Sequence, residues 1–489
     1  MADERENINA RMNSQKRKEL VEAAKFEAGW AYGELPWFSP EEARKAEQRR
    51  QKLLSKLSGT LSYSFNGTKP HLGPLSLGCR LCGTPEAVYH FINRACTRTC
   101  YFCPEDRTKN PDLLPWTDGL WFEKDKDFVY FLATFRIKRV GFTGGEPLLA
   151  LDRLLSRMKA INERFGGEIY QWLNTNGDLA DDDLLGRLRE AGLNEIKFNI
   201  SAQGYDMAPV RRARDFIPVV TVEIPAIPDD VETVKSAMLD MNALGVDYLN
   251  LIQLEVSRDN YRALGLERYH VGHRPVLLPV FESELCALEL MVYRQERRLR
   301  LPVSYCGFPY RFEVTNAQRS KRYNRFDLKG WEEVTEAGFI RTLLTREAVG
   351  EVERALKRKR KGAESAALWG CDDGKTELRF HPKLLADVLT ACSSVVIRYH
   401  ERTLTACTTV GLEWKRSLLM ETGLSRAAVE CWREIYIERR SAQTVFRDFV
   451  NRYPIGPGRP ATMMADEMSL VRRLGAWELL EIAYPEPLF

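Results

Sequence analysis

Between residues 88 and 304 the chain alternates apolar runs typical of strands with amphipathic stretches typical of helices. This alternation indicates right-handed βαβ units and a parallel sheet. Six or seven such units, if curled, would form a full or partial (β/α) barrel. The predicted strands are 88–92, 140–142, 169–173, 195–200, 219–224, 248–254 and 301–304, and the predicted helices are 124–135, 151–165, 181–191, 230–244 and 281–297.

Polar or cysteine-containing segments directly follow several of these predicted strands. In barrels of this type the working groups lie at the C-terminal ends of the strands. We therefore expect the segments to share one site. They are the cysteine stretch that begins at Cys96, Gly144-Gly145-Glu146-Pro147, Asn174-Thr175-Asn176-Gly177 and Ser201-Ala202-Gln203.

Residues 96–103 read Cys-Thr-Arg-Thr-Cys-Tyr-Phe-Cys and place three cysteines on one short loop. Three thiolates there can hold three irons of a [4Fe–4S] cluster and leave the fourth iron for a non-protein ligand. Zinc is the competing interpretation, because Cys-x-x-Cys pairs commonly bind it. A zinc site that leaves Cys96 unexplained also fits the spacing, with the ligands Cys79, Cys82, Cys100 and Cys103.

The pattern Cys-x-x-x-Cys-x-aromatic-Cys, followed by Gly-Gly-Glu-Pro, resembles the radical S-adenosylmethionine (SAM) enzymes over roughly residues 75–310. The resemblance implies a [4Fe–4S] cluster whose open iron binds the amino and carboxylate groups of SAM. Reductive cleavage of SAM then gives a 5′-deoxyadenosyl radical, which abstracts hydrogen from a substrate. The resemblance implies a partial (β/α)6 radical SAM barrel. The predicted fold class is therefore α/β, with this barrel, an N-terminal helical extension and a C-terminal α+β region, and the two outer parts depart from the family.

Carried over residue by residue, the resemblance makes Cys96, Cys100 and Cys103 the cluster ligands and the catalytic residues. The glycine turn is placed near the methionine amino group, because glycine lets backbone approach a ligand and a carboxylate or carbonyl accepts from an ammonium. For the asparagines and the serine among the candidates, a turn or helix-cap role is the alternative. The cofactor-binding candidates are Phe102, Gly144, Gly145, Glu146, Asn174, Asn176, Ser201 and Glu223.

A closer resemblance is to a mostly archaeal, uncharacterised group labelled as similar to pyruvate formate-lyase activating enzymes. It rests on Gly78-Cys79-Arg80-Leu81-Cys82, on residues 249–255 and on Tyr305-Cys306. Cys306 follows a late strand that a closing barrel brings near the first, so Cys79, Cys82 and Cys306 can form a second site. Three interpretations stay open: an auxiliary Fe–S cluster with Cys371 or substrate as fourth ligand, a zinc site, and simple buried thiols.

The chain outside the barrel is expected to form additional regions. We divide its 489 residues into a helical extension (1–70), the barrel (71–310), a basic connecting region (311–375) and an α+β accessory domain (376–489). The extension has a helix start at Ser39-Pro40-Glu41-Glu42 and three aromatic anchors, Trp30, Trp37 and Phe38. In the accessory domain, residues 394–399 are typical of a strand and residues 425–450 of a helix.

Composition argues against several classes of protein. The net charge of +4 gives no reason to expect nucleic-acid binding, and no apolar run approaches the roughly 20 residues that span a membrane. The charged N-terminus lacks a signal peptide's apolar core, so we expect a cytoplasmic protein. In that reducing compartment cysteines are metal ligands or buried apolar residues. The second role is expected for Cys286, Cys392, Cys407 and Cys431.

The leading functional prediction is hydrogen abstraction from an unknown peptide or small-molecule substrate, with an electron donor such as flavodoxin or ferredoxin. The alternatives are activation of a glycyl-radical enzyme, transfer of an aminocarboxypropyl group from SAM, and a zinc-binding scaffold without catalysis. Activating enzymes are usually compact, whereas this chain continues beyond the barrel through residues 311–489. The candidate substrate contacts at the cavity mouth are Asn250, Gln253, Glu255, Tyr305 and Arg311.

Overall fold

The computed structural model describes residue 18 and residues 21–105, 115–274, 277–326, 328–359, 367–401, 432–445, 470, 474–475 and 477–478. Cys407, Cys431, the side chain of Trp30 and the part of the predicted helix before residue 432 lie outside this description. None of the helices within it combines the length and the apolar character needed to cross a membrane.

Eleven of the first thirteen strands of the described chain form one sheet, in the order β1-β2-β13-β10-β9-β8-β7-β6-β3-β4-β5, and the other two, β11 and β12, pair only with each other. The bounds are β1 (Ser62–Ser64), β2 (Lys69–Leu72), β3 (Ala87–Asn93), β4 (Trp116–Thr117), β5 (Leu120–Trp121), β6 (Arg139–Gly144), β7 (Tyr170–Thr175), β8 (Glu195–Phe198), β9 (Val219–Pro225), β10 (Tyr248–Ile252), β11 (Glu255–Val256), β12 (Leu278–Pro279) and β13 (Val303–Cys306). Within the described ranges the seven strands from β13 to β3 run parallel, and β1 and β5 end the sheet without pairing with each other. The barrel is therefore partial, as the sequence predicted, and β13 adds a seventh parallel strand.

Helices connect the parallel strands and cover the outside of the barrel. The crossover helix α4 (Leu151–Phe165) buries Leu154, Leu155, Met158 and Ile161, a spacing that presents one apolar stripe to the sheet. The five predicted helices are confirmed to within one residue and the seven predicted strands to within two. The helices are α1 (Pro40–Lys56), α2 (Leu77–Cys82), α3 (Asp125–Thr134), α4 (Leu151–Phe165), α5 (Asp182–Glu190), α6 (Ala208–Ala213), α7 (Val231–Leu244), α8 (Phe281–Glu296) and α9 (Thr315–Asn324).

Short helix α2 differs from the others because it lies inside the barrel. It packs against β3, β6 and β7. A Cβ atom at Gly78 would lie 2.6 Å from Glu195 Oε2 of β8, so a larger residue at this position would displace the Glu195 side chain. Cys79 and Cys82, the first Cys-x-x-Cys pair, are thereby carried into the interior.

The N-terminal extension is anchored to the barrel through aromatic stacking. The predicted helix start is confirmed, because the Ser39 hydroxyl accepts from the Glu42 N–H while the Glu42 carboxylate accepts from the Ser39 N–H. Trp37 stacks on His273 and Phe38 on His270, each with ring centroids 4.1 Å apart. Both histidines belong to the segment that connects β10 to α8, so the extension reinforces this part of the barrel.

A buried ion pair joins α1 to α8 and should contribute strongly to stability. Arg50 Nε lies 2.7 Å from Glu284 Oε1, and only 3% of the arginine side chain is exposed. Arg50→Ala leaves the carboxylate buried without its partner, so we expect a loss of about 3–5 kcal/mol in the free energy of unfolding. Urea denaturation measures it. The neighbouring Arg49→Ala, whose side chain is 63% exposed, should cost less than about 1 kcal/mol, and equal losses would contradict the prediction.

The C-terminal region forms a second, antiparallel sheet. Strands before residue 375 pair with a strand after it. The sheet therefore crosses the boundary that was expected between the connecting region (311–375) and the accessory domain (376–489). Its core contains residues from three helices. The elements are β14 (Glu332–Val334), β15 (Ile340–Thr345), α10 (Val349–Lys359), β16 (Trp369–Cys371), β17 (Leu378–Phe380), α11 (Leu385–Val388), β18 (Ser394–His400), β19 (Trp432–Glu438) and α12 (Arg439–Val445).

One secondary-structure prediction in this region is confirmed and another is partly wrong. The strand expected over residues 394–399 is β18. The helix expected over 425–450 is contradicted over 432–438, where β19 pairs with β18. Ile435 and Ile437 are buried while Tyr436 and Glu438 are exposed, which is the period of two that defines a strand. The helical part, α12, begins only after it.

Candidate active site

A cavity of about 260 Å³ lies at the C-terminal ends of the barrel strands, with lining residues from β3, β6, β7, β8, β9 and β10. Two predicted residues take other positions. Ser201 Oγ donates to Asn199 Oδ1 at 2.5 Å, and its neighbours Asn199 and Ala202 reach the cavity. Glu146 turns its side chain into the protein. The predicted residues that line the cavity are Cys96, Cys100, Phe102, Cys103, Gly144, Gly145, Asn174, Asn176 and Glu223.

The glycine turn after β6 is pressed against the start of the cysteine loop. Glu146 N–H donates to the Ala95 carbonyl at 2.7 Å, and Gly145 N–H donates to the Asn93 carbonyl at 3.2 Å. A Cβ atom at Gly145 would lie 2.0 Å from the Ala95 oxygen, and Gly144 has a φ of +138°. Both positions therefore require glycine, and the turn fixes where the cysteine loop begins.

The Glu146 carboxylate holds this turn against the next strand. It is fully buried and accepts hydrogen bonds from the Leu148 N–H (3.1 Å), the Thr175 hydroxyl (2.8 Å) and the Asn176 N–H (2.8 Å). Burial raises the pKa of Glu146, and these donors oppose the rise. The Glu146 side chain thus binds two backbone N–H groups and one hydroxyl of the chain itself. Only the two glycines of the turn reach the cavity.

Asp178 ties the cysteine loop to two later strand ends. Its carboxylate accepts from Thr97 Oγ1 at 2.7 Å, from Arg98 Nε and Nη2 at 2.6 Å each, and from Gln203 Nε2 at 2.7 Å. The hydrogen bonds from Arg98 are the largest cause that lowers the pKa of Asp178. The sequence analysis missed this residue, although it directly follows the Asn174–Gly177 motif.

Asp178→Asn should loosen the cysteine loop. An amide cannot accept from all four donors, and hydrogen bonds to charged groups contribute about 1.5–3 kcal/mol each. We expect SAM to bind roughly 10-fold more weakly, as measured by equilibrium dialysis under anaerobic conditions. Since the folded pKa is lowered, the interaction is present above about pH 4 and is lost as pH falls through the folded value. Asp152→Asn, at a fully exposed side chain, is the control, and an equal effect there would contradict the prediction.

Phe102 fixes the other end of the cysteine loop. Its ring is buried in a small apolar core with Leu254 and Val256, and Asn260 Nδ2 donates to its carbonyl at 3.2 Å. The partners come from residues 253–280, the segment that connects β10 to α8. This segment therefore covers the loop between its second and third cysteines.

Lys197 and Glu223 form a buried ion pair that lines the cavity, with 3.1 Å between Nζ and Oε2. Glu223 also accepts from Asn174 Nδ2 at 3.0 Å and from Asn250 Nδ2 at 2.7 Å. Burial alone would raise the pKa of Glu223, but Lys197 and these donors lower it, so the carboxylate is charged. Lys197 was not predicted from the sequence. The available signal was its position as a lysine within an otherwise buried strand.

A second ion pair, between Glu255 and Arg311, adds charge to the cavity lining. Arg311 Nη1 lies 2.6 Å from Glu255 Oε1. Burial raises the pKa of Glu255, and the guanidinium opposes the rise. These two residues and Gln253 line the cavity, as expected of substrate contacts, whereas Asn250 donates to Glu223 and Tyr305 belongs to the barrel core.

The second cysteine set is also brought together, although without Cys371. Cys79 and Cys82 of α2 and Cys306 at the end of β13 surround Lys69 inside the barrel. Cys371 lies in β16 and packs on the core of the C-terminal sheet, so its expected role as a fourth ligand is wrong. No three His, Cys, Asp or Glu side chains in the described parts of the chain are arranged to hold a single metal ion.

Residues 91–223 match the family model described as the Radical SAM superfamily. This range contains the cysteine loop, the glycine turn and most of the strand ends that line the cavity. The chain therefore carries a radical SAM domain over these residues. Members of this superfamily are enzymes that use a [4Fe–4S] cluster and SAM.

Two relatives align with parts of the chain. A Methanocaldococcus jannaschii protein, provisionally named a glycyl-radical enzyme activating enzyme, is 28% identical over 276 residues, which are 54% of this chain and 71% of the relative. A GTP 3′,8-cyclase of Parasynechococcus marenigrum is 33% identical over 128 residues, which are 25% of this chain and 34% of the relative. The second match therefore spans only a third of that enzyme.

Partial similarity extends to solved structures. Streptococcus suis SuiB bound to S-adenosylmethionine is 13% identical with a TM-score of 0.30, over 55% of this chain and 53% of that one. The Escherichia coli coproporphyrinogen III oxidase HemN, described as a radical SAM enzyme, is 15% identical with a TM-score of 0.28, over 49% and 58% of the two chains. In both cases this chain matches less than two thirds of the known structure.

Proposed function

We propose that Cys96, Cys100 and Cys103 hold the [4Fe–4S] cluster and that the cavity beside them binds SAM together with the substrate. The observation that carries the proposal is the convergence of all three cysteines and the glycine turn on one cavity at the strand ends. All three are free thiols, which is the donor set of iron–sulfur clusters. When bound, the cluster supplies the electron that cleaves SAM to the 5′-deoxyadenosyl radical.

The chain's own residues bind and orient the cofactor in this proposal. The backbone at Gly144 and Gly145 accepts from the methionine ammonium, since the Glu146 carboxylate is engaged by its own turn. Asn176 Nδ2 lies 3.8 Å from Cys96 Sγ and supports a ligand sulfur. Asn174 Oδ1 is buried without a hydrogen-bond partner in the described structure, and it can accept from a ribose hydroxyl.

The substrate in this proposal is a peptide or a small molecule that carries charged groups. The Glu255–Arg311 pair offers one carboxylate and one guanidinium at the cavity, which suits a ligand with an ammonium and a carboxylate. Orienting the substrate hydrogen towards the adenosyl carbon is the main contribution that such a pair makes to rate. A flavodoxin or ferredoxin type of protein supplies the electron at the loop, where Cys96 is exposed.

Activation of a glycyl-radical enzyme is the second candidate function. It is favoured by the Methanocaldococcus jannaschii relative, with which the chain aligns over 71% of the relative's length. Against it stands the C-terminal sheet, which follows the barrel in the sequence and adds a second core to the chain.

The products of SAM distinguish these functions. Anaerobically purified enzyme is incubated with dithionite and SAM, and the products are identified by mass spectrometry. We expect 5′-deoxyadenosine and methionine. Methylthioadenosine without 5′-deoxyadenosine would contradict the proposal and point to aminocarboxypropyl transfer. A glycyl-radical signal in electron paramagnetic resonance (EPR) on an added cell-extract protein would favour the second candidate.

A further inference from the structure

Three cysteines from distant parts of the chain surround one buried lysine beneath the cavity. Lys69 Nζ lies 2.6 Å from Cys306 Sγ, and its next electrostatic partners are Cys79 and Cys82. Cys79 and Cys306 are buried and Cys82 is half-buried. Lys69 itself is fully buried on β2, the strand that pairs with β13.

The positive charge at this site has too few carboxylate partners. Lys197 Nζ lies 3.6 Å from Cys79 Sγ, so a second buried ammonium group approaches a different sulfur of the same set. Lys197 is paired with Glu223, whereas no Asp or Glu within the described ranges forms an ion pair with Lys69. Besides Cys306, Lys69 contacts the face of the Tyr310 ring at 4.4 Å. Lys69 shares the Glu223 carboxylate with Lys197 at longer range, so an anionic group at the sulfurs would further stabilise the two buried charges.

Polar groups of the barrel also point at the sulfurs. Tyr310 Oη lies 2.5 Å from Cys82 Sγ and can donate to it, whereas the Cys306 thiol itself donates to Asn250 Oδ1 at 3.3 Å. Hydrogen bonds to ligand sulfurs and nearby cations are the features by which proteins set the potential of an iron–sulfur centre. Such a constellation exceeds what three inert buried thiols require.

We propose that Cys79, Cys82 and Cys306 bind a second iron–sulfur cluster of the [4Fe–4S] type, with Lys69 and Lys197 balancing its charge. The flexible four-carbon stem of Lys69 lets its ammonium move aside while it stays near the sulfides. Three protein thiolates leave one iron free for a non-protein ligand with an oxygen, nitrogen or sulfur donor. Lys197 and Glu223 line the catalytic cavity as well, so the two sites share a wall.

Metal and sulfide counts on anaerobically reconstituted protein test the proposal. Ferrous iron and sulfide are supplied, and iron, sulfide and zinc are measured. Wild type should hold about eight irons per chain, and the C96A/C100A/C103A variant should keep about four irons with matching sulfide. The C79A/C82A/C306A variant should keep about four at the other site. The matched control C286A/C392A changes two buried cysteines elsewhere and should hold about eight.

The variants distinguish a failure of the second-cluster proposal from a failure of the catalytic-cluster proposal. An iron-free C96A/C100A/C103A variant would overturn the second cluster, as would zinc in place of its iron. About four irons in wild type, unchanged in C79A/C82A/C306A, would overturn it while leaving the catalytic cluster intact. Because C96A/C100A/C103A keeps the inner cysteines, this result does not depend on whether C79A/C82A/C306A folds.

Lys69 gives a second readout that a purely structural role would not move. In the C96A/C100A/C103A background, Lys69→Met removes a positive charge next to Cys306. The midpoint potential of the remaining cluster should become more negative, because its reduced form loses a stabilising cation. Lys126→Met, at an exposed lysine of α3, should leave the potential unchanged. An unchanged potential in Lys69→Met would overturn the charge-balancing role.

Discussion

Cys100→Ala is expected to lower the formation of 5′-deoxyadenosine at least ~1000-fold, because two thiolates cannot keep a cluster that requires three. Cys100 is the middle cysteine of the loop and lines the cavity. Iron at this site should fall in parallel with activity. The measurement is turnover of SAM by anaerobic enzyme with dithionite, together with iron content.

Cys286→Ala is the matched control for this variant. Cys286 is buried in α8, and its thiol donates to the Ile227 carbonyl outside the cavity. Its replacement should leave both iron content and SAM cleavage within about twofold of wild type, because a lost buried thiol is mainly a packing change. A Cys100→Ala enzyme that keeps its iron and its turnover would remove Cys100 from the catalytic site.

Gly145→Ala should damage cofactor binding although it adds a single methyl group. The new Cβ would meet the Ala95 carbonyl oxygen at 2.0 Å and the Arg94 oxygen at 2.6 Å, and both are backbone atoms that cannot rotate away. The turn must therefore separate from the cysteine loop. Overpacking of this kind costs about 1–3 kcal/mol. Because SAM binding requires the turn in its packed position, that cost weakens SAM binding roughly 10- to 100-fold, as measured by equilibrium dialysis.

A second glycine provides the comparison. Gly186 lies within α5, and a Cβ atom there would have nothing within 4 Å. Gly186→Ala should leave SAM binding unchanged and raise stability by up to about 1 kcal/mol, because alanine is the better helix former. Equal SAM affinities for the Gly145→Ala and wild-type enzymes would show that the turn does not position the cofactor.

The barrel was predictable because each of its units has a local signature. The helix over residues 151–165 has the bounds that its periodicity indicated, and the parallel strands follow from alternation of strand and helix. The position of α2 inside the barrel was not predictable in this way. It depends on the fit of Gly78 against Glu195, a contact between residues far apart in sequence.

The site residues that belong to a sequence motif were predictable. The single polar residues that hold the motifs in place were not. The cysteine loop and the glycine turn have fixed spacing, whereas Asp178, Lys197 and Lys69 are isolated polar residues whose roles arise from tertiary contacts. Glu146 belongs to the motif, yet its contacts are with its own backbone neighbours. In the C-terminal sheet, β19 was mistaken for helix because its alternation covers only a few residues and a helix, α12, follows it directly.

The EPR spectrum of the reduced enzyme before and after addition of SAM tests the central claim most directly. If the iron left open by Cys96, Cys100 and Cys103 binds SAM, the cluster signal should change when SAM is added. The change should occur equally in the C79A/C82A/C306A variant, which keeps the cysteine loop, and be absent in C96A/C100A/C103A. A reduced wild-type signal that SAM leaves unaltered would contradict the assignment of this cavity as the site of SAM cleavage.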